Sequence, residues 1–203
     1  ITVRDNNSFK LLKKAGINKI ELCPDPVFNI EIPKQNSRCS IGVQLREAPI
    51  LTDNFINELA VNINKYYSDK QIFILSLQNK YDAEICGKFK AVLKKLNSEI
   101  EAEIILNTSN DEVIKTAAGL EALIAMRYHA CLIGIKAGIK VLAVNYDIKV
   151  KTLAEEFNLI NINSADDIKK AFETFVNQEF RYDEDKINSK KFDFKKLENL
   201  LSI

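Results

Sequence analysis

The sequence predicts an α/β protein: a parallel, Rossmann-like sheet with helices on both faces. Two observations carry that expectation. Short apolar runs alternate with longer amphipathic stretches almost without exception, and a parallel sheet covered on both faces is the economical way to bury both kinds of element. Turn and cap residues also fall between the runs, at Gly16, Pro24-Asp25-Pro26, Gly119 and Gly138, where strands or helices have to stop. Crossovers between such strands are right-handed.

In chain order, Ile1–Asp5 reads as the end of a strand. Asn6 or Asn7 is a candidate cap for a helix over Ser8–Ala15, with Phe9, Leu11, Leu12 and Ala15 as its apolar stripe. Lys19–Cys23 is a second short strand, and Phe28–Ser40 has little periodicity and reads as a linker. Ser40–Leu45 is an apolar strand ending in Arg46. A helix capped by Thr52 or Asp53 then runs to Tyr67, its inner face formed by Phe55, Ile56, Leu59, Ala60, Ile63 and Tyr66 or Tyr67. Gln71–Leu77 is a strand, Asp82–Leu96 a helix, Ala102–Leu106 a strand and Asp111–Ala118 a helix. Ala122–Met126 is a strand, Tyr128–Ala137 a helix and Lys140–Val144 a strand. Val150–Phe157 is a helix, Leu159–Ile162 a strand, and Asp166–Val176 a helix capped by Ser164. Phe192, Phe194, Leu197, Leu200 and Leu201 among lysines suggest a final helix over 188–201.

Composition narrows the classes. The 203 residues are 46% hydrophobic and 28% charged with a net charge of +1, an ordinary globular balance with no clustered basic surface for nucleic acid. Cys23, Cys39, Cys86 and Cys131 lie far apart, and with a single histidine there is no metal-ligand spacing, so no metal and no cofactor are expected. The thiols read as reduced, partly buried groups of a cytoplasmic protein. No apolar run is long enough to span a membrane. The chain opens on Ile1 in a strand-like stretch, which suggests that part of the natural protein precedes it.

In open parallel sheets, ligands bind beyond the carboxyl ends of the strands. Those ends are Arg46, Gln78-Asn79, Asn107-Thr108, Arg127-Tyr128-His129 and Asn145-Tyr146-Asp147, with Lys149 just beyond. One βαβ unit separates His129 from Lys149, so the chain returns to the same edge between them. Arg127, His129 and Lys149 then converge near two helix starts, whose free N–H groups and dipoles favour phosphate or carboxylate. The residues alone imply an anion-binding cleft. No G-x-G-x-x-G, Walker loop or G-x-S-x-G occurs.

At Met126-Arg127-Tyr128-His129-Ala130, followed by Tyr146-Asp147-Ile148-Lys149-Val150, the chain resembles the polysaccharide pyruvyl transferases, specifically the CsaB type. That family carries an R-L-H-A junction, a small-residue helix ending in A-G (here Ala137-Gly138), and a Y-D-x-K-V segment. Thr2-Val3-Arg4-Asp5 and Asp25-Pro26-Val27-Phe28 are similar to its V-R-D … D-P-V-F stretch, and Ile41–Arg46 to its G-I-S-x-R strand. The chain departs from the pattern at Ala125, Tyr128 and Asn145, where glycine, leucine and serine are common.

The resemblance implies a GT-B-like enzyme of two Rossmann-like halves. Residues 1–35 would end the N-terminal half and begin a linker, and 36–203 would form the C-terminal domain with its final helix. It implies transfer of pyruvate from phosphoenolpyruvate to two hydroxyls of a cell-wall or surface polysaccharide sugar, forming a ketal. Arg4, Arg127 and Lys149 would bind the donor, and His129 would bind its phosphate or act as the acid. Arg46 and Tyr146 are weaker candidates on the same edge. The implied partners are phosphoenolpyruvate, a sugar or lipid-linked glycan acceptor and the N-terminal half of the same protein, in the cytoplasm or at the inner membrane face. The 203 residues alone would then be inactive. The alternatives are a GT-B glycosyltransferase or epimerase acting on a nucleotide sugar, and a non-catalytic anion-binding domain.

Overall fold

The computed structural model describes residues 1–33, 39–106 and 109–195. By compactness the chain divides into two units, one formed by Ile1–Glu31 with the segment from Asp183 onward, the other by Ile32–Tyr182. Each is described by itself.

In the first unit, β1 (Thr2–Val3) pairs in parallel with β2 (Glu21–Leu22) around helix α1 (Asn6–Lys14). The cap of α1 is Asp5, not Asn6 or Asn7: its carboxylate accepts the Ser8 N–H at 2.8 Å and the Ser8 hydroxyl at 2.7 Å. Both strands are shorter than the apolar runs suggested, because only two residues of each find a partner. Gly16, at φ 82°, takes the left-handed turn that ends the helix. Where a structureless linker was expected from Phe28, the chain first makes a 3₁₀ turn over Pro26–Asn29. Buried Asp25 caps that turn by accepting the Val27 N–H at 3.0 Å.

The second unit is built on six strands, β3 (Ser40–Gln44), β4 (Gln71–Ser76), β5 (Ala102–Leu106), β6 (Leu120–Ala125), β7 (Lys140–Val144) and β8 (Ile160–Ile162). All pair in parallel, in the order β5-β4-β3-β6-β7-β8. The chain therefore works outward from β3 to one edge, returns to the middle, and works outward again from β6. The reversal falls between β3 and β6, the switch point where open α/β sheets hold ligands. The carboxyl ends are level, since Gln44 stands opposite Leu75 and Ala125, and Ala125 opposite Ala143.

The intervening helices are α2 (Asp53–Tyr67), α3 (Asn79–Leu96), α4 (Asn110–Ala118), α5 (Tyr128–Lys136), α6 (Ile148–Phe157) and α7 (Ile168–Asn177). Helices α2, α3 and α7 pack together over one face, and α4, α5 and α6 adjoin one another in sequence. The first group covers a core with fully buried Phe55, Phe89 and Phe172 set on Ile41, Val43, Ile72, Ile74 and Ile124. Burying one such side chain is worth roughly 1.5–3 kcal/mol. Helix α5 approaches the sheet closely at Gly134, where an added Cβ would stand 2.6 Å from Val141 Cγ2.

Several boundaries move, among them the starts of β6, at Leu120, and of α6, at Ile148, each two residues earlier than expected. Helix α3 begins at Asn79, a turn before the expected Asp82. Ser164 opens a 3₁₀ turn (Ala165–Asp167) without a side-chain cap bond. In the first unit, α8 (Glu184–Ser189) reaches two residues into the stretch, 188–201, where a final helix was expected. Residues 196–201 of that stretch lie outside the described residues, as do 34–38 of the expected linker and the strand end at Asn107-Thr108. Asn29 exchanges two hydrogen bonds with the backbone of Phe192, at 2.9 and 2.6 Å.

Candidate functional site

The edge that carries the site is bound together by one buried amide. Gln44 is the last residue of β3 and is fully buried. Its side-chain carbonyl accepts the Arg127 backbone N–H at 2.8 Å, and its amide nitrogen donates to the Leu45 carbonyl at 2.8 Å. Gln44 O also accepts the Met126 N–H at 3.1 Å. The turn from β6 into α5 is thus fixed to the end of β3 through the fully buried side chain of Gln44.

From that turn Arg127 reaches across the end of β3 to α3. Its Nε donates to Asp82 Oδ2 at 3.0 Å and its Nη2 to Asp82 Oδ1 at 2.5 Å. The Asp82 side chain is fully buried and that of Arg127 only 13% exposed, so the pair is held by a two-point, charge-assisted contact in a low-dielectric setting. Asp82 Oδ2 also accepts the Gln78 N–H at 3.0 Å, tying the start of α3 into the same pair. The read-out for function is specific: one side of the guanidinium is already taken. Among the described residues Nη1 has no partner, so an anion would meet Arg127 end-on.

Arg46 is held in a different way. Its backbone N–H points at Met126 Sδ, 3.4 Å away. Its side chain runs across the end of β6 to Tyr146, beyond β7, where Nη1 donates to the phenol oxygen at 3.1 Å. The guanidinium carbon lies 4.9 Å from the Tyr146 ring centroid, within cation–π range. No carboxylate pairs with Arg46 among the described residues, and its buried Nε has no hydrogen-bond partner there. Leaving a buried donor unmade costs about 1–3 kcal/mol.

His129 lies exposed in the first turn of α5, its ring edge-on to Tyr128 with centroids 5.4 Å apart. Helix α5 has no side-chain cap, Arg127 occupying the cap position. Helix α6 differs: Asp147 caps it by accepting the Lys149 N–H at 2.7 Å, which fills the helix start that sequence reasoning left open to an anion. The Lys149 side chain is exposed, with no carboxylate partner among the described residues. Because β6 and β7 are neighbours and α5 packs beside α6, the residues Arg46, Arg127, His129, Tyr146 and Lys149 stand on one edge of one unit. Arg4 belongs to the first unit, where its Nη1 pairs with Asp25 Oδ2 at 2.6 Å.

Sequence reasoning missed Asp82 and Gln44. A signal existed for Gln44, a polar residue inside the otherwise apolar run Ile41–Leu45. Asp82 offered less, because a carboxylate near a helix start is ordinarily explained by the helix dipole. Behind the pair, burial and the Asp82 charge push the Cys86 thiol up to about 12, with Arg127 acting the other way. Burial likewise takes Cys131 to about 12. Among the described residues no group of three or more His, Cys, Asp or Glu side chains gathers as a metal site.

Comparison with known families decides the lineage. The model of the family described as "Polysaccharide pyruvyl transferase" matches residues 1–148, about three quarters of the chain. The chain belongs to the polysaccharide pyruvyl transferase family. No curated protein sequence matches.

Solved structures show the fold. The UDP-GlcNAc 2-epimerase of Methanocaldococcus jannaschii, in complex with UDP-GlcNAc and UDP, superposes with a TM-score of 0.64 at 12% identity, over 90% of this chain and 56% of that one. WaaG, a glycosyltransferase involved in lipopolysaccharide biosynthesis, gives 0.55 at 15% identity, over 87% and 53%. AviGT4, a glycosyltransferase involved in avilamycin A biosynthesis, gives 0.54 at 11%, over 88% and 54%. This pyruvyl transferase family chain thus has a GT-B-like, Rossmann-type fold. It spans a little over half the length of these structures. Among the described residues no helix is long and apolar enough to cross a membrane.

Proposed function

We propose that this chain is the C-terminal, donor-binding part of a CsaB-type enzyme that moves pyruvate from phosphoenolpyruvate onto two hydroxyls of a polysaccharide sugar, working in the cytoplasm or at the inner membrane face. The observation that supports this most is that Arg127 and His129, inside the stretch that the family model matches, and Lys149, one residue past it, follow β6 and β7, which are neighbours beside the switch point of one sheet. Phosphoenolpyruvate carries a phosphate and a carboxylate, so it calls for cations set apart and held still. Arg127 offers a rigid end-on edge and Lys149 a mobile charge. Arg4 enters as a donor-binding residue on its motif alone.

In this reading His129 delivers a proton to the terminal methylene carbon of the enol, and the positive charge develops on the carbon that bears the phosphate and the carboxylate. A sugar hydroxyl adds there and loses its proton. A second hydroxyl then replaces the phosphate, which leaves with the remaining proton, and the cyclic ketal closes. Histidine is the side chain most often used for such proton transfer, and a ring N–H also suits phosphate binding.

The test is His129→Ala in the complete protein, assayed for phosphate release and ketal formation with phosphoenolpyruvate and a lipid-linked glycan. Turnover should fall at least a hundredfold, the low end of what a general acid contributes, while the urea midpoint stays put because the side chain is exposed. Wild-type turnover would remove His129 from the mechanism. In the same preparation, thermal stabilisation by a nucleotide sugar but not by phosphoenolpyruvate would transfer the site to sugar-nucleotide chemistry.

A further inference from the structure

Two arginines leave the switch point in opposite directions. Arg127, at the end of β6, crosses β3 and is matched by the buried Asp82 carboxylate. Arg46, at the end of β3, crosses β6 and reaches Tyr146 about 10 Å away, two strand spacings. A guanidinium paired with a buried carboxylate brings geometry to an anion site but little net charge. Arg46 has no such counter-charge among the described residues, and its buried Nε lacks an acceptor. Stability alone does not explain this arrangement, because a buried charged donor left unmatched works against folding. Tyr146 orients the group without neutralising it: it offers a phenol oxygen and a ring face, both uncharged.

We propose that Arg46 is the anion-binding guanidinium of this site, taking a phosphate or carboxylate of a small dianionic ligand, and that Tyr146 is its positioning residue. The proposal rests on the reading of this edge as an anion site. It adds that the binding charge at the switch point comes from Arg46, with Lys149 beside it, while Arg127 acts mainly as a fixed frame. The guanidinium lies against Tyr146, two residues past the end of β7, and α5 starts without a side-chain cap past the end of the neighbouring β6. A ligand phosphate there would meet the Arg46 cation close to the positive end of the α5 helix dipole.

The complete protein is titrated calorimetrically with inorganic phosphate and, separately, with phosphoenolpyruvate. Arg46→Gln should weaken both at least tenfold. Arg46→Lys, which keeps the charge and loses the fork, should weaken both several-fold, and it decides the matter if Arg46→Gln does not fold. Tyr146→Phe removes only the phenol oxygen. It should raise the KM for phosphoenolpyruvate, or the phosphate Kd, several-fold with kcat within twofold, and should add nothing to Arg46→Gln in the double variant. Wild-type protein that binds phosphate but not phosphoenolpyruvate would end the pyruvyl-donor reading and leave Arg46 to be judged on phosphate alone. Unchanged phosphate affinity in the Arg46 variants, or no phosphate binding by the wild type, would overturn the proposal.

Discussion

Arg46 and Arg127 end neighbouring strands in register, yet one is clamped by a carboxylate and the other stacked on a phenol. The difference separates two tasks that an arginine at a ligand edge can perform. A buried two-point ion pair fixes a side chain at the expense of its charge, whereas a stack on tyrosine orients the group and keeps the charge. The residue type is the same; the partner decides whether the group is frame or binder. His129 and Lys149, exposed at the starts of α5 and α6, stand at the far end of this scale.

The largest effect should come from breaking the clamp. Asp82→Ala leaves a mostly buried guanidinium without its counter-charge, and removing one partner of a buried pair costs about 3–5 kcal/mol. Urea unfolding should read a loss of that size, and a second change of Arg127→Met should recover part of it, since an apolar pair needs no compensation. Tyr146→Phe, the matching change on the other arginine, should cost less than about 1 kcal/mol. Equal losses on the two sides would erase the distinction between clamp and stack.

These pairs explain why the fold was more legible than the site. The strands Ala102–Leu106 and Lys140–Val144 were readable to the residue because their apolar runs are bounded by polar neighbours. The alternation of runs also fixed the parallel sheet, while the order of its strands needed the pairings. The cations at the strand ends were visible for the same reason, as polar groups interrupting apolar sequence. Their partners were not. Asp82 lies 45 residues from Arg127 and Tyr146 lies 100 from Arg46, and nothing local says which strand end faces which. Short β1 and β2 fail for a related reason, since two-residue strands are defined by their partner rather than by their own pattern.

A smaller effect probes the surroundings of the clamp. The Cys86 thiol, raised from 9.0 to about 12, is neutral in the folded protein over a range where the unfolded chain ionises it. Its contribution to stability is therefore complete below about pH 9 and is lost as pH rises from there toward 12. Each such thiol changes the folding equilibrium by about tenfold per pH unit in that window. Cys131 contributes in the same range, so Cys86→Ala should flatten the alkaline fall in stability by one proton's worth and leave the other. Identical slopes for wild type and variant would show that the thiol beside the Asp82–Arg127 pair is not held neutral.

The smallest effect on stability is expected at the exposed end of the scale. The Lys149 ammonium contacts no carboxylate among the described residues, and the cap of α6 uses its backbone N–H, which Lys149→Gln preserves. The variant should therefore unfold within about 0.5 kcal/mol of wild type. Its phosphoenolpyruvate affinity should nevertheless drop, and the drop should shrink as salt is raised, because an exposed charge is screened over about 10 Å at 0.1 M. Arg46→Gln, half-buried on its tyrosine, should lose affinity with much weaker salt dependence. If the two losses follow the same salt dependence, Arg46 acts from solvent as Lys149 does, and its place beside Tyr146 has no bearing on binding.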